Sequence, residues 1–244
     1  MANRQRAEAR RKAAEKAARG EGGSSRTFLW VAVGLVVLLG VGGIIWATSG
    51  SDDTAASSDT TAAETPGSGL PTSQPVTVTG DPLPAFTSGG GSDTAIGMTA
   101  PKLEGLNFND QPVVADAETN GAYMLVFLAH WCPHCNAEVP RLLAWKNSGA
   151  IPADLDVIGV ATAVSENSPN FPPAEWFSNR GWAWPVMVDE STGDGTAGVA
   201  AQAYGASGWP YFVIVGADGK VKTRVSGEVE VAELESIVEA ALAS

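Results

Sequence analysis

The only two cysteines and the only two histidines among 244 residues fall within six positions, His130-Trp131-Cys132-Pro133-His134-Cys135. A thiolate is both a nucleophile and a metal ligand, and a disulfide partner must lie within a few ångströms. Two residues between the cysteines bring the sulfurs into that range across one helical turn. An apolar run, Tyr123–Ala129, ends just before them, which places the pair at a strand-to-helix junction. There the first sulfur meets unpaired N–H groups and the positive end of the helix dipole, and its pKa falls. On this reading Cys132 is the exposed attacking thiolate. Cys135 is the buried thiol that resolves the mixed disulfide. Pro133 fits the first helical turn, where its missing N–H costs nothing.

Other uses of the same residues are weaker. His130, Cys132, His134 and Cys135 are zinc-ligand types, yet their spacing at one junction does not converge easily and no other thiolate exists. A purely structural disulfide would close too short a loop to gain much entropy. No metal and no cofactor are expected. The formal charge of −12 argues against a nucleic-acid partner, because neutralising phosphates needs Lys and Arg.

The elements that must position this pair are legible downstream of about residue 100. Tyr123–Ala129, Leu155–Ala161, Pro185–Val188 and Tyr211–Val215 are short, nearly continuous apolar runs, the pattern of strands covered on both faces. Between them Pro133–Lys146, Ala174–Arg180, Thr196–Tyr204 and Val231–Leu242 are helix candidates, and Lys220–Val225 follows an Ala217-Asp218-Gly219-Lys220 turn as the second arm of a hairpin. The order βαβαβ–α–ββα predicts an α/β domain over 100–244 with a central mixed sheet flanked by helices. Trp145, Trp176, Trp182 and Trp184 are read as core or rim residues. Ser165–Pro173 is read as a loop before the next helix, with a border on a substrate groove as the alternative. Glu228–Glu239 is read as an acidic, solvated helix face.

The charge is unevenly distributed. Residues 1–26 carry eight of the fifteen basic residues against three glutamates, giving +5, and the rest of the chain carries −17. Residues 27–48 follow with no charge at all. At a helical rise of 1.5 Å they span roughly 30 Å, the hydrocarbon thickness of a bilayer. Trp30 and Trp46 stand near the two ends, where indoles favour the interface. A cleaved signal peptide is the alternative, but the apolar run exceeds the usual ~7–15 residues and no convincing cleavage site follows. The basic excess before the span predicts a cytoplasmic N-terminus and an extracytoplasmic remainder. The tail itself is either a headgroup-binding flank or a tail that merely sets orientation. Residues 49–99 are rich in Ser, Thr, Gly, Pro and Ala, with six acidic and no basic residues. They are expected to be a flexible tether with a reach on the order of 40 Å, or a substrate for O-glycosylation.

The run Val126-Phe127-Leu128-Ala129-His130-Trp131-Cys132-Pro133-His134-Cys135-Asn136-Ala137-Glu138-Val139-Pro140, with Gly208-Trp209-Pro210-Tyr211-Phe212-Val213-Ile214-Val215 and Asp218-Gly219-Lys220-Val221, resembles the thioredoxin-like superfamily. More narrowly, it resembles the membrane-anchored TlpA/ResA/DsbE-type thiol–disulfide oxidoreductases, with which it shares an apolar strand followed by W-C-x-x-C-x-x-E-x-P. The resemblance covers about 145 residues. It implies a thioredoxin-like fold, Cys132 as nucleophile, Cys135 as its resolving partner, and Pro210 as the cis-proline facing them, with the preceding backbone pairing with a substrate polypeptide. It further implies that Glu138 is the active-site carboxylate, a proton carrier or pKa modulator for the buried thiol, and that Pro140 bends the helix.

Three positions depart from the pattern. Val126 stands where cytoplasmic thioredoxins carry a buried acid. Trp209 precedes the proline where smaller residues are usual, and its bulk is expected to narrow or redirect substrate binding. Pro133-His134 is the dipeptide of the oxidising DsbA-type enzymes. Pro133, His134 and Trp131 are therefore the expected thiolate-tuning residues, and Trp209 and Pro210 the substrate-binding ones.

The sequence thus predicts a membrane-tethered, extracytoplasmic thiol–disulfide oxidoreductase that oxidises protein dithiols. A reductant of specific exported clients, such as apocytochrome c, and a tethered binding module without turnover are the alternatives. The expected partners are exported proteins with thiols or disulfides, a membrane redox partner that recycles the pair, and the lipid bilayer around 27–48.

Overall fold

The computed structural model describes residues 69–88 and 92–244. Two sheets organise them. Strands β1 (Thr77–Thr79), β2 (Lys102–Leu106) and β3 (Pro112–Ala115) form an antiparallel sheet in that order. Strands β4 (Ala122–Leu128), β5 (Leu155–Ala161), β6 (Val186–Val188), β7 (Tyr211–Val215) and β8 (Val221–Ser226) form the central sheet, in the order β6-β5-β4-β7-β8. β4, β5 and β6 run parallel, and β7 and β8 are antiparallel. This is the mixed sheet the sequence predicts. The helices are α1 (Ala117–Asn120), α2 (Pro133–Ser148), α3 (Pro173–Asn179), α4 (Val199–Ala203) and α5 (Val231–Leu242).

β4 is the axis of the domain, and every residue in it is buried. Successive side chains of a strand point to opposite faces. Met124, Val126 and Leu128 accordingly enter one core with α2, α3 and α5, while Tyr123, Leu125 and Phe127 enter a second core with α4 and the small sheet. A strand buried on both faces needs the continuous apolar sequence that β4 has. The parallel β4–β5 connection runs through α2, so the residues at the carboxyl end of β4 and the first turn of α2 emerge together at one edge of the sheet. His130 through Cys135 occupy that edge.

The tether expected over 49–99 requires correction at its C-terminal end. Val76, Leu83 and Ala95 are buried, β1 pairs with β2, and the N–H groups of Leu83 and Phe86 donate to the carbonyls of Ala203 and Gly205, each at 2.8 Å. Asp93 forms an ion pair with the almost fully buried guanidinium of Arg224. The few apolar residues of this stretch cannot make a core among themselves. They are ordered because they complete a face whose other half comes from residues more than a hundred positions away. The packed domain therefore begins upstream of residue 100.

The expected tail at 1–26, the span at 27–48 and the first part of the tether lie outside the described residues. Among the described residues no helix is long and apolar enough to cross a membrane.

Candidate active site

Cys132 is the N-cap residue of α2, with extended backbone angles, and Pro133 opens the helix. An N-cap side chain faces the unpaired N–H groups of the next turn. The backbone N–H groups of Cys135 and His134 favour the Cys132 thiolate in this way, but the largest stabilising contribution is the hydrogen bond donated by the Cys135 thiol. The positive charge of His134 adds to it, and burial opposes it; the outcome is a Cys132 pKa lowered to about 6. Cys135 is driven strongly the other way, first by burial and then by its bond to Cys132. Both are free thiols. One sulfur is thus prepared to attack, and the other to keep its proton until it is called upon.

Cys132 is not exposed as expected. It retains only 6% of its accessible surface. The reason is the Trp209–Pro210 segment, joined by a cis peptide bond, which lies across the sulfur; the Cys132 thiol donates to the Trp209 carbonyl at 3.4 Å. Trp209 itself is half-buried and packs against both cores.

Glu138 is one turn beyond Cys135 and has no exposed surface. Its Oε2 accepts the backbone N–H of Val229 at 3.0 Å and lies 3.5 Å from a guanidinium nitrogen of Arg141, while Oε1 has no partner. Burial outweighs those stabilising contacts and lifts its pKa to about 7. Val126 is fully buried in the same core as Cys135, so β4 offers no carboxylate, and the nearest acid comes from the helix instead. α2 runs through Pro140 without interruption.

The His134 ring is held by Glu228. Its Nδ1 is 2.7 Å from Glu228 Oε1, and this bond raises its pKa. Trp131 gives its indole N–H to the Ala163 carbonyl at 2.6 Å; its place in the site is to join the two loops, and no hydrogen bond from it reaches the thiolate. His130 is buried and bonds to the 165–170 loop. Its Nε2 accepts the Ser165 N–H at 3.2 Å, so Nδ1 carries the proton and donates to the Pro169 carbonyl at 2.9 Å. Burial lowers its pKa and keeps it neutral. His130 thereby pins the 165–170 loop, which does border the site.

Three residues that the sequence reading passed over complete the arrangement. Asn136 donates from Nδ2 to the Cys132 carbonyl at 2.9 Å and to the His130 carbonyl at 3.3 Å, while its Oδ1 accepts from Trp176 and Arg180. Arg141 and Glu228 bond at 2.6 Å. The signal for Arg141 was present, since His134, Glu138 and Arg141 fall at i, i+4 and i+7 on one helix face. Glu228, read as part of a solvated acidic face, gave none.

A thiolate at a helix N-terminus with a proline segment across it, and a second, buried thiol one turn on, all at the edge of a mixed sheet, define a thioredoxin-like oxidoreductase. The Redoxin profile matches residues 78–242, and the chain belongs to that family. No curated protein matches. Similar solved structures include a thiol:disulfide interchange protein of the thioredoxin family from Chlorobium tepidum (25% identity, 59% of this chain and 96% of that one, TM-score 0.47). A secreted Mycobacterium tuberculosis disulfide oxidoreductase, described as homologous to E. coli DsbE, is 23% identical over 61% of this chain and 99% of its own (TM-score 0.44). A thiol-disulfide isomerase from Corynebacterium glutamicum is 19% identical over 51% and 82% (TM-score 0.43).

Proposed function

We propose that the chain is a membrane-tethered, extracytoplasmic enzyme that oxidises protein dithiols through a Cys132–Cys135 disulfide. The observation that carries this reading is the asymmetry of the pair: Cys132 lowered to about 6 and Cys135 raised. A stabilised thiolate favours the dithiol form and makes the disulfide a stronger oxidant. At about 6, the Cys132 thiolate is stabilised beyond that of thioredoxin, about 7, and less than that of DsbA, about 3.5.

A client thiolate attacks Cys132 of the disulfide, forming a mixed disulfide and releasing the Cys135 sulfur, which takes a proton. Glu138, neutral up to about pH 7, is the nearby acid that supplies it. A second client thiolate then attacks the client sulfur of the mixed disulfide, and Cys132 leaves as a stable thiolate. The client has lost two electrons and two protons; the cysteine pair holds the electrons as the Cys132 thiolate and the Cys135 thiol, one proton restores Glu138 and the other goes to solvent. A membrane redox partner must remove them to complete the cycle. The Trp209 backbone is where an extended client segment would lie.

The basic tail and the uncharged span at 27–48 support tethering to a lipid bilayer, with exported proteins as clients. Equilibrating the purified full chain with glutathione tests the direction. A potential near that of DsbA, about −120 mV, supports the oxidase; one near that of thioredoxin, about −270 mV, overturns it in favour of a reductant of exported clients. Cys135→Ser should trap client proteins on Cys132 as mixed disulfides, and a binding module without turnover would trap none.

A further inference from the structure

The surface residue Glu228, in the turn between β8 and α5, bonds two different side chains of α2. Oε1 takes the His134 imidazole at 2.7 Å and Oε2 takes the Arg141 guanidinium at 2.6 Å. His134 is in the CxxC turn beside Cys132, and Arg141 reaches to 3.5 Å from the buried Glu138. The same turn contributes the Val229 N–H to Glu138 and the Glu230 carboxylate to Arg141 at 3.1 Å. We propose that Glu228 is a positioning residue that couples the attacking thiol to the buried proton carrier, setting the protonation of both ends of the active site at once. The inference rests on the thiol–disulfide exchange reading above.

The coupling has a definite sign at each end. At the thiol end, the Glu228 carboxylate favours the charged imidazole, and that positive charge helps keep Cys132 as thiolate. At the carrier end, Arg141 favours the charged form of Glu138, whereas Glu228 and Glu230 disfavour it. Glu228 also holds the guanidinium against itself rather than leaving it free to turn to Glu138. The charged and titratable groups facing Glu138 are Cys135 and Arg141 from α2, and Glu228 and Glu230 from the turn. Those bearing on His134 are Cys132 and Glu228. Removing the Glu228 charge should therefore raise the Cys132 midpoint and lower that of Glu138. A residue that only fastens the turn to the helix would not move the two in opposite directions, and surface ion pairs contribute little to stability in any case.

Glu228→Gln in the full chain tests this, alone and on a His134→Ala background. Ultraviolet thiolate absorbance against pH reads Cys132. The pH dependence of mixed-disulfide resolution by Cys135 reads Glu138. With His134 present, Glu228→Gln should raise the Cys132 midpoint by about half a pH unit, the scale of one partly exposed charge pair. On the His134→Ala background that shift should vanish while the downward shift of the resolution profile persists. An unchanged pair of profiles, or a Cys132 shift of equal size with and without His134, overturns the inference. A wild-type chain that shows no thiolate step and resolves no mixed disulfide overturns the exchange reading itself, whatever Glu228→Gln does.

Discussion

The Cys132 thiol donates a hydrogen bond to the backbone carbonyl of Trp209, 77 residues away in sequence, at 3.4 Å. A carbonyl is an acceptor only, so it can hold the protonated thiol but offers nothing to the thiolate. The groups that favour the thiolate come from α2 alone: the Cys135 thiol, two backbone N–H groups and the His134 charge. Ionisation thus swaps the contact across the groove for contacts within the helix turn, and the Trp209 carbonyl becomes free for a client N–H.

The Cys132 thiolate should appear in a pH titration with a midpoint of about 6. Because the Cys135 thiol is the largest stabilising contributor, Cys135→Ala should raise that midpoint by about one pH unit, the worth of a hydrogen bond to a charged group. Ultraviolet absorbance and the pH dependence of alkylation both measure it. An unchanged midpoint would show that the helix N-terminus does the work unaided.

Trp209→Thr should separate access from reactivity. The acceptor facing Cys132 is backbone and survives the substitution, so the thiolate midpoint should hold. The indole expected from its bulk to narrow the groove is removed, so Cys132 should react faster with a bulky disulfide reagent than in the wild type, with little change for a small one. Because Trp209 is half-buried against both cores, stability should fall by about 2 kcal/mol. Equal rate changes for large and small reagents would count against a steric role.

How much of this was legible in the sequence follows from where each signal resides. β4, β5 and β7 are buried on both faces, so their apolar runs announce them locally. The cysteine pair, Glu138 and Pro210 stand at fixed spacings from those runs. β1 has only three residues, Thr77–Thr79, and none is fully buried. It is a strand because β2 offers a partner, and no window of composition contains that fact. Glu228 is an ordinary exposed glutamate until the fold brings it to His134, 94 positions away. Cys132 was read as exposed because its cover comes from a distant strand end, a long-range contact that local pattern does not record.

The segment upstream of Ala100 contributes to the stability of the domain. A chain shortened to start at Ala100 loses β1, Leu83 and Asp93, and with them the carboxylate and the Pro84 carbonyl that hold the buried Arg224 guanidinium. Removing one partner of a buried pair costs about 3–5 kcal/mol. Urea denaturation should place this chain at least that far below one starting at Gly69. Asp93→Asn should reproduce part of the loss. The hydrogen bond from Arg224 holds the Asp93 carboxyl below its ordinary range, so the pair's stabilisation is present above that range and is lost as pH falls through the lowered value. The Asp93→Asn chain should accordingly lack that part of the wild-type decline in acid.

Glu138 should impose the opposite pH dependence. Its pKa is raised from 4.5 to about 7 by burial, so the folded state binds a proton that the unfolded chain releases between those values. Folding stability from this group is complete below about pH 4.5 and is lost as pH rises through about 7, by roughly 3 kcal/mol in all. Glu138→Gln keeps an oxygen for the Val229 N–H at 3.0 Å and carries no charge at any pH. It should match the wild type near pH 4 and exceed its stability by up to about 3 kcal/mol near pH 8. Denaturation at the two pH values measures the difference. Activity should move the other way: without a group that can give and take a proton beside Cys135, release of the Cys135 sulfur in forming the mixed disulfide, and its re-attack in the reverse direction, should slow by about 10²-fold and lose their inflection near pH 7. A variant more stable in base yet slower at Cys135 would identify the buried carboxyl as a proton carrier retained at the expense of stability. One that is more stable and equally fast would restrict it to anchoring Val229.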